Sequence, residues 1–471
     1  MKLYDSINKT LARQGRNTTS TDMYNFVANW AQWYRGNVSR FHYYYQTLTN
    51  GKRRKVERLT LNMAKKVCED MTRLIWSEKT RIELSNQEQT VKLWEILDSK
   101  QNNLSVNLPR FIEKTMALGT GMIVEIKQGD DVLLDFIDAD LIIPMAYSNS
   151  YISEVATISR STGLVGEKKI YNSLLTIHQF DGKTYTKEHQ LYRSTDVNTL
   201  GEKISLDTLY PDLEEVVKYE TDTPHFQIYR PNIVNNLDLD SPMGISIFAN
   251  RIDNLKAIDL KYDCFYNEFQ MGRKRILVDR TAVKSAVDTA TGENIQFFDT
   301  DDATFMAING MENQPVKDID FALRTQEHIA AINTELNYLS AGVGLGQDFY
   351  NFDGSNAAKT ATEVISENSD TFRSKVNHEI ILRDVIYDMV KSICELAGIK
   401  SNSISITFDD SVIEDKGAAA RQALIEYNAG LIDKVEYFVR AHGMEKDQAT
   451  QYVSEIEDRN QEVVEEEPDA E

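Results

Sequence analysis

Few residues of this 471-residue chain stand at spacings that could do chemistry. The triplet Gly342-x-Gly344-x-Gly346 invites a phosphate-cradling reading, because glycines let backbone N–H groups approach an anion closely. It follows a helical pattern rather than a strand, and it lacks the third glycine at dinucleotide spacing. No GxxxxGK[ST] occurs, so no P-loop is encoded. The acidic pairs Asp130-Asp131, Asp301-Asp302 and Asp409-Asp410 have the chemistry of Mg2+ ligands in a nuclease. Without a supporting strand pattern such pairs read as surface turns. His378-Glu379 lacks the second histidine of HExxH, the seven histidines do not cluster, and GxSxG is absent. Neither a zinc hydrolase nor a serine hydrolase is indicated. Cys68, Cys264 and Cys394 are far apart with no CxxC, which fits a reducing cytosol and argues against a disulfide framework. The chain shows no active site, and it is expected to be no enzyme and to use no cofactor.

Charge is the stronger signal. The net charge of −21 argues against a protein that wraps nucleic acid. Residues 1–82 nevertheless hold 16 basic against 6 acidic side chains, including the run Lys52-Arg53-Arg54-Lys55, whereas 409–471 hold 18 acidic against 6 basic. The run reads either as a solvated helix face or as a contact with nucleic acid or an acidic neighbouring subunit. Aromatic residues crowd 22–48: Tyr24, Phe26, Trp30, Trp33, Tyr34, Phe41, Tyr43, Tyr44 and Tyr45. Interleaved with Arg35 and Arg40, they could stack on bases. The helical spacing of Phe26, Trp30 and Trp33 fits a helix core or a subunit interface better.

These residues need positioning elements, and the length implies about two to four sub-domains. No uninterrupted apolar run of about 18 residues exists to span a bilayer, and the first residues lack the apolar core of a signal peptide. A helix is predicted over 53–77, with the stripe Leu59, Met63, Val67, Met71 and Leu74, and helical pattern again over 91–118. Gly119-Thr120-Gly121 then breaks it before β-like runs at 122–126, 132–136 and 141–144. Residues 151–230 suggest an antiparallel sheet, with a hairpin turn at Asp181-Gly182.

At Ser241-Pro242 a helix start is predicted, followed by Ile245, Phe248, Ile252, Leu255, Ile258, Tyr262, Phe265 and Phe269 at helical spacing. That helix would run about 28 residues, roughly 42 Å, to Gly272. Residues 273–278 turn into a strand. The segment 280–318 reads as a small mixed unit, with a helix at 283–287, a turn at Gly292 and a strand at 304–308. A second long helix follows over 320–341, with Ile329, Ile332, Leu336 and Leu339 on one face. The two form an antiparallel arm around a folded tip, and side-by-side packing in a ring would cover the stripes that one hairpin leaves bare. The glycine-rich loop 342–354 leads to the longest helix, 357–397, with Ser355 and Asn356 as caps and Gly398 as its stop. After a strand at 404–408 the chain is acidic and helical, and the composition of 462–471 is that of a disordered tail.

Three segments resemble the portal (connector) proteins of long-tailed phages that infect Gram-positive bacteria. The first is Ser241-Pro242-Met243-Gly244-Ile245-Ser246-Ile247-Phe248-Ala249, continuing through Asp253-x-Leu255-Lys256-Ala257-x-Asp259 to Phe269-Gln270-x-Gly272-x-Lys274-Arg275-Ile276. The second is the glycine-rich loop leading to Phe352-Asp353-Gly354. The third and most specific is Lys359-Thr360-Ala361-Thr362-Glu363-Val364-Ile365-Ser366-Glu367-Asn368-Ser369-x-Thr371-Phe372. The turn Ala117-Leu118-Gly119-x-Gly121 is similar to the entry of the portal wing. The likeness spans residues 100–410, and 1–50 and 420–471 lie outside it.

The resemblance implies a predominantly helical α+β portal fold. Residues 1–240 would form the wing, 241–272 and 319–342 the stem helices, and 273–318 the clip between them. The tunnel loop would be 343–357, a long wing helix and strand 358–410, and the crown and acidic tail 411–471. It also implies a dodecameric ring at one capsid vertex of the virion, assembled in the host cytoplasm, through which double-stranded DNA is packaged and ejected. Expected partners are the terminase large subunit, then a head–tail adaptor, with the major capsid and scaffolding proteins. Gln347, Asp348, Tyr350 and Asn351 are the expected DNA-facing groups, with Phe349 and Phe352 anchoring the loop, whose glycines would let it bend. Arg273, Lys274 and Asp301 are the expected docking residues of the clip. The rival readings are another minor capsid or adaptor protein, and an Mg2+-dependent nuclease using the paired aspartates.

Overall fold

The structure, a computed structural model, describes residues 2–47, 51–272, 322–352, 361–408 and 416–456 apart from positions 130, 150, 167, 445, 447 and 455, together with five short strands between 275 and 319. The chain opens with α1 (Lys2–Arg13) and α2 (Met23–Tyr34), the hairpin β1 (Tyr43–Thr47) and β2 (Arg53–Glu57), then α3 (Met63–Ile75), β3 (Arg81–Leu84), α4 (Gln87–Leu97) and α5 (Leu104–Leu118). As the spacing predicts, Trp30 and Trp33 of α2 are buried, and so are Met63, Val67 and Met71 of α3. The helix expected over 53–77 begins ten residues late, because 53–57 pair with 43–47 in register from Tyr43–Glu57 to Thr47–Arg53. The basic run therefore lies on a β-hairpin and not on a helix face. The pattern read as one helix over 91–118 is two, since a turn separates α4 from α5.

Antiparallel sheet follows, as expected. β4 (Gly121–Gln128) pairs with β5 (Asp131–Asp138) and with the later β12 (Phe226–Tyr229). β6 (Ile142–Ser148), β7 (Tyr151–Val165), β8 (Lys168–Phe180) and β9 (Thr184–Ser194) form the larger sheet, and β10 (Glu202–Ile204) and β11 (Val216–Glu220) both pair along the outer edge of β9. Asp181 Oδ1 accepts from the N–H groups of Lys183 and Thr184, closing the turn between β8 and β9.

The predicted helix start at Ser241 is displaced. Residues 241–248 run as irregular chain with Met243, Ile245, Ile247 and Phe248 buried, and α6 (Ile252–Met271) begins only after a short 3-10 turn. It spans 20 residues, about 30 Å. The cause is a crossing of two backbones. Gly244 passes so close to Gly119 that a Cβ would strike its carbonyl, while Gly244 N–H donates to Thr120 Oγ1 and Ile247 N–H to Met116 O. Neighbours 120 residues away decide this conformation, and they override the helical spacing of Ile245 and Phe248.

Beyond α6 come β13 (Arg275–Asp279), β14 (Ser285–Val287), β15 (Asn294–Gln296), β16 (Phe305–Ile308) and β17 (Val316–Ile319). β13 pairs parallel with β16 and antiparallel with β17, and β14 pairs with β15. Residues 285–287, expected at the end of a helix, are thus strand. α7 (Thr325–Gly342) returns antiparallel to α6: Asn254 and Lys261 donate to Glu335, and Glu268 meets Arg324 and His328. α8 (Ala361–Ala397) buries Leu382, Val385, Ile386, Met389, Val390 and Ile393 at three- and four-residue spacing. β18 (Ile404–Thr407) pairs with β3, joining the late chain to the early one, before α9 (Lys416–Asn428) and α10 (Lys434–His442). The architecture is α+β, and one large core joins α1–α7 to the described part of α8. The caps expected at Ser355 and Asn356 and the tail 462–471 lie outside the described residues.

Candidate functional site

The loop after α7 is held from three sides. Leu345 N–H donates to Ser340 O, Gly346 N–H to Thr371 Oγ1 of α8, and Phe352 N–H to Asn333 Oδ1 of α7 at 2.7 Å. Gly344 has φ +82°, and a Cβ there would strike Ser374 Oγ. A side chain on Gly342 would strike the Arg251 guanidinium. These two glycines are accounted for by tight packing and a left-handed backbone, where the spacing had suggested bending. Phe352 packs edge-on against Tyr262 and Phe265 of α6, anchoring the base of the loop as expected.

The four predicted positions separate sharply. Gln347, Asp348 and Asn351 are exposed, and Asp348 takes a left-handed φ of 63° that an aspartate tolerates better than most residues. Tyr350 does not join them. It is 7% exposed, with its ring turned inward and its hydroxyl beside Asp70 of α3; burial and that carboxylate raise its pKa. A side chain enclosed within its own subunit cannot face a ligand, so Tyr350 is corrected to an anchor. Phe349 is the reverse case, 41% exposed where burial was expected. From 325 to 358 there is no Lys or Arg, while Glu327, Glu335, Asp348 and Asp353 supply negative charge. This stretch of α7 and the loop offers a duplex no cation to grip.

The arm itself is fastened to the segments flanking the hairpin β1–β2 by two buried aspartates of α6. Asp259 accepts from His42 Nε2, Thr60 Oγ1 and the N–H of Leu61, and Asp263 accepts from the N–H of Leu59. In the sequence Asp259 stood only as part of the first resembling segment and Asp263 was not singled out, although polar residues at 259 and 263 inside the stripe Leu255, Ile258, Tyr262 were a signal. At the far end Glu268 receives the Arg324 backbone N–H, its guanidinium and His328 Nε2, and these donors hold its carboxyl down at about 2.

Arg273, Lys274 and Asp301 lie outside the described residues, as do Asp130, Asp302 and the pair Asp409-Asp410. Asp131 is exposed at the start of β5. Among the described residues no three His, Cys, Asp or Glu side chains gather to hold a metal ion. His378 and Glu379 are buried structural groups: Asn232 N–H donates to His378 Nδ1, and Glu379 meets Lys375 at 3.1 Å. Among the described residues no helix is long and apolar enough to cross a membrane.

A family model described as phage portal protein, SPP1 Gp6-like, matches residues 20–466. The chain belongs to that family. It is a tailed-phage portal protein and functions in packaging DNA into the capsid. The match takes in residues 20–50 and 420–466, which the motif resemblance had left out. Among curated proteins none matches the chain. Portal proteins are a structural family, ring-forming components of the virion capsid that act with DNA, and the adaptor reading gives way to the portal one.

Proposed function

We propose that this portal protein forms a dodecameric ring at one capsid vertex, through which the genome enters and later leaves. In this reading α6 and α7 are the stem and 273–318 the clip. Residues 1–240 and 358–410 make the wing, and 411–471 the crown and tail. Gln347, Asp348 and Asn351 face the duplex, within a tunnel loop spanning 343–357. The clip docks the terminase large subunit during packaging and a head–tail adaptor afterwards, through Arg273, Lys274 and Asp301. Scaffolding and major capsid proteins hold the rim.

The observation that carries the reading is the coincidence of an exposed polar loop with 34 consecutive residues free of Lys and Arg. Each cationic contact with phosphate adds salt-dependent affinity and would brake a moving duplex. Carboxylates repeated round a ring repel DNA and keep it centred. A loop anchored through Phe352 and Gly346 keeps its polar edge at a constant radius.

Asp348→Lys places one cation per subunit on that edge. Rings and empty capsids should form normally, while packaging slows or stalls at low salt and recovers as salt screens the new contact. Asp348→Asn, which tolerates the same left-handed backbone, should package at the normal rate. Normal low-salt packaging by Asp348→Lys would remove the loop from the DNA path. Charge reversal at Arg273, Lys274 or Asp301 should weaken terminase or adaptor binding with rings intact, and unchanged binding would move the docking site elsewhere.

A further inference from the structure

The hairpin β1–β2 stands apart from every other sheet in the described residues. A lone two-stranded hairpin is marginally stable in water and needs something to pack against. Here only its base is covered: Tyr43, Tyr44 and Val56 are half-buried, while Tyr45 to Thr47 and Arg53 to Lys55 are exposed. Strand alternation puts Tyr44, Gln46, Arg54 and Val56 on one face, lining a groove of about 1010 Å³ shared with Tyr266, Met271 and Leu323 at the end of the arm. The opposite face carries Tyr45, 68% exposed, with Lys55 directly across from it and Arg53 beyond. Lys55 lies over the Tyr43 ring at 4.1 Å, and Arg53, Arg54 and Lys55 meet no carboxylate among the described residues.

We infer that this hairpin is a clasp that docks on an acidic surface of the next copy of the chain in the ring. The inference rests on the ring reading above. A ring is built from heterologous contacts, so each interface joins two different patches of the same subunit. Charge is segregated to suit this: residues 1–82 carry an excess of ten cations, and 83–471 carry 67 acidic against 36 basic side chains. A second copy is therefore the acidic partner always present, and a cationic clasp offsets the repulsion between subunits of charge −21. DNA is the less suitable partner, because these cations repeated round the ring would hold the duplex that the loop is built to let pass.

The test compares the intact chain with Arg53→Glu/Lys55→Glu by light scattering over a range of concentration and salt. The exposed positions leave folding intact, which the circular dichroism spectrum and melting curve check. The variant should lose rings by about tenfold or more at low salt, and Arg53→Lys/Lys55→Arg should keep them. Carbodiimide coupling on rings mixed from light and 15N-labelled subunits should join Lys52 or Lys55 to carboxylates of the other isotope. Variant rings as abundant as wild type, or couplings confined to one isotope, would overturn the clasp. Intact variant rings that lose retention on a duplex-DNA column would assign the hairpin to nucleic acid instead. If the wild-type chain forms no rings at all, the ring reading itself fails.

Discussion

His42 and Asp259, 217 residues apart, meet at 3.1 Å in the interior with side chains only 2% and 5% exposed. Val38 N–H donates to His42 Nδ1, so the ring carries its proton on Nε2 and gives it to the carboxylate. Thr60 Oγ1 and Leu61 N–H donate to the same group. One aspartate thereby fixes α6 to both ends of the hairpin β1–β2.

Asp259→Ala strips an acceptor from one buried donor and two half-buried ones. Orphaned donors cost about 1 to 3 kcal/mol each and the site relaxes in part, so a loss of about 3 kcal/mol is expected from urea unfolding. A loss below about 1 kcal/mol would mean the contact does not fasten the arm.

Gly344→Ala meets two obstacles, the left-handed φ and Ser374 Oγ. Together they should cost about 1 to 2 kcal/mol. Adding Ser374→Ala relieves the steric part and leaves the backbone part, so stability should recover incompletely. Full recovery would deny the backbone strain, and no loss in the single variant would deny the close approach.

Acid should weaken the fold through His378, whose burial pushes its pKa down from 6.5 to about 4. The unfolded chain takes up this proton first as pH falls below 6.5, and the folded chain resists until about 4. Stability from this group is therefore complete above pH 6.5 and declines between 6.5 and 4, by about 3 kcal/mol in all. His178, His189 and His225 are displaced in the same direction by burial and add slope of the same sign. His378→Asn keeps an acceptor near Asn232 N–H and should flatten this slope in unfolding experiments across pH 4 to 7. An unchanged slope would place the acid sensitivity in other groups.

What the sequence disclosed was whatever local periodicity governs. The stripe Ile332, Leu336, Leu339 marks α7, Trp30 and Trp33 mark α2, and Gly398 marks the end of α8. What stayed hidden was set by distant partners. Leu59 to Leu61 are not helical, and the N–H groups of Leu59 and Leu61 donate to Asp263 and Asp259 instead, while the stretch after Ser241 is irregular because Gly244 crosses Gly119. The same holds within the loop: Tyr350 and Phe349 are adjacent aromatics, and only the presence of Asp70 and α3 decides which turns inward.

The central claim is a closed ring with a passage through it. The measurement is negative-stain electron microscopy of the purified chain, with light scattering on the same sample. Ring-shaped particles with a central channel are expected, with a mass near that of a dodecamer of 53.8 kDa subunits. Monomers alone, at every protein concentration and salt, would contradict it.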